Sequence, residues 1–344
     1  MTLKTLLLGS AAAFAVVGGA QAADLSVAEP VDYVRICDAF GTGYWYIPGT
    51  DTCLKISGNV EFDLNLHDNS NVWNGGTHSS YWDFVTSAGL AFNAKSMTEY
   101  GVLEANIPFT MAWDNNSSTS STVKLDKGTY IKVGPLELGY DESVFDNGGG
   151  FADSVYREDL GVKQISLHWA LGSFGLALGI EDPRDRWGTS LVTNYSVPDL
   201  TAQVTYSQST WSAALAGAYS NDVLGGSRYG VSGNVTVNLD MIAAGDQIRV
   251  GGAYGASSFV GGAYDTSNSD WSAYATLVHY LTSALHTDWS FGYLSQTAGN
   301  SWQVGGDLVW VPTTGLTTRL KGQYVVTNGG TGVWSAQARA VRSF

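Results

Sequence analysis

The sequence predicts an all-β fold, a 16-stranded antiparallel transmembrane β-barrel, and three observations carry that prediction. The composition is poor in charge and rich in glycine and aromatic residues, apolar residues recur with period two, and connections alternate between long and short. Charged residues make up 14% of the 344, against roughly 25% in a typical soluble protein. Mean hydropathy is −0.02, too low for a bundle of spanning helices. Beyond the N-terminus no apolar run approaches the ~18 residues that such a helix needs. The net charge of −14 argues against a nucleic-acid partner, because phosphate binding requires a basic surface.

Residues 1–22 read as a secretory signal peptide. Lys4 supplies the positive start, Leu6 to Val17 the apolar stretch, and Ala20-Gln21-Ala22 the small-x-small cleavage pattern. The mature chain is then expected to begin at Ala23. Export places Cys37 and Cys53, the only two cysteines, in an oxidising compartment, where a pair reads as a disulfide. Closing so short a loop stabilises the fold by about 3 kcal/mol, through restriction of the unfolded chain. A metal site is the rival reading, but no histidine lies near the two thiols. Residues 23–53 therefore form a disulfide-closed N-terminal segment, and 54–344 the barrel.

From Leu54 onward the alternation is plain. Leu54, Ile56, Val60, Phe62, Leu64 and Leu66 fall on one face, and Lys55, Ser57, Asn59, Glu61, Asp63 and Asn65 on the other. A strand separates the two sets cleanly, whereas a helix would scatter them. The same rule separates Tyr229, Val231, Val235 and Val237 from Ser232, Asn234, Thr236 and Asn238. Segments begin near Leu54, Tyr81, Thr98, Thr122, Leu136, Leu160, Phe174 and Asp199. They continue near Thr210, Arg228, Asp246, Ser269, His286, Ser301, Gly315 and Thr331.

Long polar connections are expected at His67 to Ser80, Trp113 to Thr122, Asp141 to Asp159, Asp182 to Pro198 and Gly255 to Ser269. Short ones fall at Ala94 to Met97, Ser207 to Thr210, Asp240 to Gly245, Thr282 to Leu285 and Pro312 to Gly315. Tight turns at one end and large loops at the other suit an up-and-down barrel whose two ends return to the periplasm. Tyr and Trp near strand ends, Trp82, Tyr219, Trp271 and Trp334 among them, are candidates for interfacial girdles. A soluble β-sandwich with a dry core stays open on periodicity alone.

Several stretches resemble one family. Ala28 to Gly41, Tyr46 to Ile56, Val197-Pro198-Asp199-Leu200, Ala244-Gly245-Asp246, Leu308 to Pro312 and the closing Arg339 to Phe344 occur in that family's order. Together, behind a signal peptide, they are similar to the trimeric general-diffusion porins of alphaproteobacteria, across essentially the whole mature chain. The resemblance implies a homotrimer among outer-membrane lipids and a third outer loop folded inward as a constriction. It also implies that the barrel-assembly machinery reads Phe344.

That loop falls at Asp141 to Asp159 and carries Asp141, Glu142, Asp146, Asp153, Arg157, Glu158 and Asp159. Strand phase turns Lys55, Lys124, Lys132, Arg249, Arg319, Lys321 and Arg339 toward the lumen. Acids on the loop facing bases on the wall would set a transverse field, and the excess of acid predicts a mild cation preference.

Signals for chemistry are few. The five histidines, His67, His78, His168, His279 and His286, form no pair at metal-ligand spacing. Gly172-Ser173-Phe174-Gly175 is not a nucleophile elbow, and Gly41-Thr42-Gly43 lacks the third glycine of a dinucleotide loop. The sequence thus predicts no cofactor, no metal and no catalytic residue. An exported adhesin or glycan-binding protein, and a hydrolase carried on a barrel, remain the alternatives from other classes.

Overall fold

A computed structural model describes residues 35–67, 82–114, 123–148, 159–187, 197–222, 226–256, 269–296, 299–327 and 330–344. The signal-peptide reading, residues 23–34 of the N-terminal segment, and Asp153, Arg157 and Glu158 lie outside them. Among the described residues one sheet accounts for nearly all secondary structure.

The chain enters through β1 (Trp45–Tyr46), β2 (Cys53–His67), β3 (Trp82–Thr98) and β4 (Gly101–Asp114). Next come β5 (Val123–Leu125), β6 (Thr129–Val133), β7 (Leu136–Glu142), β8 (Gly161–Leu171) and β9 (Phe174–Glu181). A short helix, Pro183–Trp187, precedes β10 (Asp199–Ser207), β11 (Trp211–Asp222), β12 (Gly226–Asn238) and β13 (Gln247–Gly255). The last strands are β14 (Ser269–Thr282), β15 (Leu285–Gln296), β16 (Ser301–Thr313), β17 (Leu316–Val326) and β18 (Val333–Ser343). Consecutive strands pair antiparallel, except that β5 and β6 both pair with β4, and β18 returns to β2, from Ser335 opposite His67 to Ser343 opposite Asn59. That pairing closes the cylinder.

β1 is only the outer arm of a hairpin on β2, and β5 and β6 both pair with β4 as two halves of one stave. Sixteen staves result, as the parity of the sequence predicts. The break at residues 126–128 has a local cause in Pro108 on β4, which has no N–H to offer the ladder. Its carbonyl instead accepts from the Asp126 N–H at 3.2 Å, and Gly128 takes φ 96°, open to glycine at no cost.

The alternation comes out as an inverted protein. On β2, Val60 and Phe62 are 50% and 46% exposed, while Asp63 and Asn65 on the other phase are 5% and 7%. β10, β12, β15 and β16 repeat the pattern, with Leu200, Val235, Phe291 and Leu308 exposed and Thr201, Asn234, Asp288 and Asp307 buried. A dry-cored sandwich would show the reverse. The inward phase is not polar throughout, however: Leu294 and Val309 occupy it as well.

Aromatic pairs face one another across strands toward the large-loop end: Tyr219 with Tyr229, Tyr254 with Trp271, and Tyr324 with Trp334. At the short-turn end Phe174, Tyr206 and Trp211 pack as tilted rings with centroids 4.8 and 4.9 Å apart. Two such belts are what membrane interfaces select, since these rings are apolar in body and polar at the tip. Two boundaries differ from the sequence reading. Ala94 to Met97 is not a turn: β3 runs on to Thr98, with Lys95 opposite Glu104. Asp141 and Glu142 belong to β7, opposite Val162 and Gly161, and not to the loop. Period-two alternation persists through both stretches, and the polar residues that suggested a loop are lumen-facing or end-of-strand positions.

Candidate functional site

β7 has seven residues, against 15 in β2 and 17 in β3, so the chain leaves the wall well below the rim. The next six residues are fastened to the inner wall. The Ser143 hydroxyl lies 3.0 Å from both carboxylate oxygens of Glu181, and the Val144 N–H donates to Glu181 Oε1 at 2.9 Å. Gln203 Nε2 donates to the carbonyls of Val144 and Asp146 at 3.2 and 2.8 Å. Asn234 Nδ2 donates to the Asn147 carbonyl at 2.7 Å, and the Tyr274 hydroxyl to that of Gly148 at 3.5 Å. Phe145 is buried against Ala216 and Ala218. Residues 143–148 therefore lie inside the barrel, in contact with inward side chains of β9, β10, β12 and β14.

The root of this segment is held by a buried ionic group. Arg186, from the short helix after β9, reaches Glu181 Oε2 at 2.6 Å through Nη2 and Asp199 Oδ2 at 3.1 Å through Nε. Its Nη2 also donates to Ser143 Oγ at 3.1 Å, and Thr201 Oγ1 donates to Glu181 Oε1 at 2.8 Å. All three charged side chains are fully buried. Two carboxylates around one guanidinium in a low dielectric form a group whose members depend on one another. The helix is itself fixed from outside the spanning strands, where the Arg184 guanidinium beside Asp182 holds that carboxyl below the usual range. Lys163 also reaches Asp185.

Acids of the inward-leading chain gather near its root. One carboxylate oxygen each from Glu142, Asp146 and Asp159 lies within 4.8 Å of the others. Lys127 sits among them, 2.6 Å from Asp159 and 3.2 Å from Glu142. A base already shares the cluster, and its acids are largely exposed, so the arrangement suits a hydrated acidic patch facing water. Asp141 is separate, on the inward phase of β7.

The wall bases are arranged differently from the sequence reading, which set them against the loop. Arg339 makes a two-pronged contact with Asp63, both arms at 2.8 Å, and reaches Glu61 at 3.1 Å. Arg319 lies 3.6 Å from Asp307, and Lys132 3.4 Å from Glu137. Lys321 sits opposite Asp307 in register, and Lys124 opposite Thr110. Arg249 donates to Thr236 Oγ1 at 2.7 Å and stands beside Gly148 of the inward segment. Lys55 lies 5.8 Å from the centre of the Tyr44 ring. Most of these bases thus have acidic neighbours on the wall itself.

Sequence reasoning missed Lys95, Glu104, Lys127, Glu181 and Arg186. Glu104 and Glu181 were legible as inward positions once strand phase was known, but Lys127 and Arg186 lie in breaks where period two gives no phase. The disulfide is present: Cys37 and Cys53 are bonded, with Cα atoms 6.1 Å apart.

A closed cylinder with an apolar outside, aromatic belts at both ends and a charged interior is an outer-membrane channel. The sequence matches a family described as a porin subfamily over residues 24–340. It is 32% identical over 378 aligned positions to Porin Omp2b of Brucella suis biovar 1, and 31% to that of Brucella melitensis biotype 1, each match covering 100% of both chains. Among solved structures, the outer membrane channel DcaP of Acinetobacter baumannii shares the fold at TM-score 0.64 and 16% identity, over 87% of this chain and 99% of that one. A triple mutant of Rhodopseudomonas blastica porin does so at TM-score 0.56 and 11% identity, over 85% of this chain and 100% of that one. The chain belongs to the porin subfamily, among the alphaproteobacterial general porins, and its place is the bacterial outer membrane.

Proposed function

We propose that the barrel is a passive, water-filled channel for small hydrophilic solutes and ions, mildly cation-preferring, with the segment that follows β7, residues 143–159, as its constriction. The observation that carries this reading is the path of the inward segment. From the end of β7 to the Gly148 carbonyl that meets Tyr274, the chain covers seven strand spacings with six residues. Following the wall would take about 34 Å, at ~4.8 Å per strand. Six extended residues span only about 21 Å. The segment therefore cuts across the interior, and a strand of backbone across a lumen narrows it.

The acidic patch of Glu142, Asp146 and Asp159 stands at the root of that segment, with Lys127 as a base beside it among the described residues. Such a patch concentrates cations from the water around it. Diffusion through a polar, hydrated gap calls for no bond-making step and no cofactor. The same reading has residues 1–22 removed on export, residues 23–53 as an N-terminal segment ahead of the barrel, three copies assembled side by side, and Phe344 presented to the assembly machinery.

Planar-bilayer recording of detergent-purified protein tests the proposal. Stepwise insertions in threes, and a reversal potential displaced toward the cation side across a salt gradient, are the expected results. A folded preparation that conducts nothing, or an anion-selective one, contradicts it.

A further inference from the structure

We propose that the disulfide-closed segment, residues 35–52, forms a second narrowing of the pore inside its periplasmic mouth, anchored by Tyr44 and flanked by Lys55 and Lys95. The inference rests on the channel reading and adds a second point of selectivity to it.

The segment is folded on itself first. The Cys37 N–H donates to the Tyr44 carbonyl at 3.0 Å and the Tyr46 N–H to that of Arg35 at 2.8 Å. The chain reverses at Pro48-Gly49, where Gly49 takes φ 78° and the Thr50 N–H closes on the Ile47 carbonyl at 3.0 Å. The disulfide, Tyr44 and the flanking Phe40 and Tyr46 make a small core of their own. A unit so closed keeps its shape while it projects from the wall.

It then reaches into the lumen. The Tyr44 hydroxyl donates to Asn93 Oδ1 at 2.5 Å. Asn93 Nδ2 donates in turn to Glu104 Oε1 at 2.7 Å and Asn106 Oδ1 at 3.0 Å. Glu104 also accepts from the Tyr130 hydroxyl at 3.0 Å and pairs with Lys95 at 3.2 Å. These residues are in register across β3, β4 and β6 on the inward phase. Asn93 stands five residues above the end of β3 at Thr98. That is about 17 Å of strand. With the ~40° tilt of barrel strands the height is about 13 Å above the turn. A segment lying beneath the barrel could not bring a tyrosine hydroxyl to that level.

The charge at this level is positive. The ammonium groups of Lys55 and Lys95 lie 5.8 and 5.6 Å from the centre of the Tyr44 ring, within cation–π reach. Glu104 offsets Lys95, whereas Lys55 has no acidic partner among the described residues. A solute would meet an acidic patch at the inward segment and a basic one at the periplasmic mouth. Two opposed charges in series explain why an acidic chain would show only a mild preference.

Single-channel recording of Tyr44→Ala, of the Cys37→Ser/Cys53→Ser pair and of Lys55→Glu tests this. The first two should insert with larger unit conductance than the parent. Lys55→Glu, which leaves the segment in place, should raise the cation-over-anion permeability ratio roughly two- to fivefold, as a reversed charge at close range in a hydrated gap does. Unchanged conductance in the first two, or an unchanged reversal potential in Lys55→Glu, overturns the inference. Should the first two fail to fold, the Lys55→Glu result decides alone. A parent protein that conducts nothing overturns the channel reading itself, which separates the two failures.

Discussion

The seam where β18 meets β2 and the sector from β4 to β9 obey the same alternation and use it differently. Along the seam nine residue pairs run in unbroken register, and the inward charges settle within the wall: Arg339 takes Asp63 and Glu61 from the neighbouring strand. In the other sector Pro108 interrupts the ladder, β7 stops after seven residues, and the chain turns inward. Its charges then hold the chain that leaves the wall, Lys127 meeting Asp159 and Arg186 meeting Glu181 and the Ser143 hydroxyl. Regular pairing builds the vessel, and the departure from it furnishes the lumen.

The difference in solvation makes the two sets of charges unequal in energy. Replacing Arg186 by Met should have the largest effect. It leaves Glu181 and Asp199 buried without their cation, a loss of about 3–5 kcal/mol. The expected outcome is a lower melting temperature, together with noisier and larger conductance as the inward segment loses its hold. Quiet parental channels from Arg186→Met would show that Arg186 does not fasten it.

A middle-sized effect is expected from Glu142→Gln, Asp146→Asn and Asp159→Asn combined. These acids are largely exposed, so stability should change little while cation preference falls roughly two- to fivefold. An unaltered reversal potential would remove the patch from the selectivity account. The smallest effect belongs to the seam. Arg339 keeps access to water while its partner Asp63 is buried, so Arg339→Met should cost about 1–2 kcal/mol, well below the loss at Arg186. A loss as large as that of Arg186→Met would erase the distinction between the two regions.

The two regions were also unequally legible. Along β2, β12 and β17 the strand, its phase and the inward charges can be read from sequence alone, because a half-polar strand at an interface must alternate. Gly58, which interrupts the apolar phase of β2, is intelligible only with the fold in hand. An added Cβ there would lie 2.8 Å from the ring of Phe344, whose backbone bonds Gly58 at 2.9 and 3.1 Å and completes the closure.

In the irregular sector the same rule misleads or falls silent. Asp141 and Glu142 look like the start of a loop because acids are rare in strands, yet an aqueous lumen tolerates the first and the strand end the second. Lys95 looks like part of a turn because Ala94 to Met97 is short and mixed. Arg186 sits in a polar stretch whose phase no period defines, and only its burial against two carboxylates reveals its role. Tyr44 reads as one aromatic among several in a Gly-rich loop, and its bond to Asn93, 49 positions away, leaves no trace in local pattern.

The central claim is that one phase of every strand faces water inside and the other faces lipid outside. Single cysteines placed in turn at positions 61 to 66 of β2, in protein reconstituted into liposomes, test it directly. Glu61, Asp63 and Asn65 should give sites open to a small water-soluble thiol reagent, and Phe62, Leu64 and Leu66 sites open only to a lipid-soluble one. Reaction of the second set with the water-soluble reagent, and silence from the first, would contradict the account.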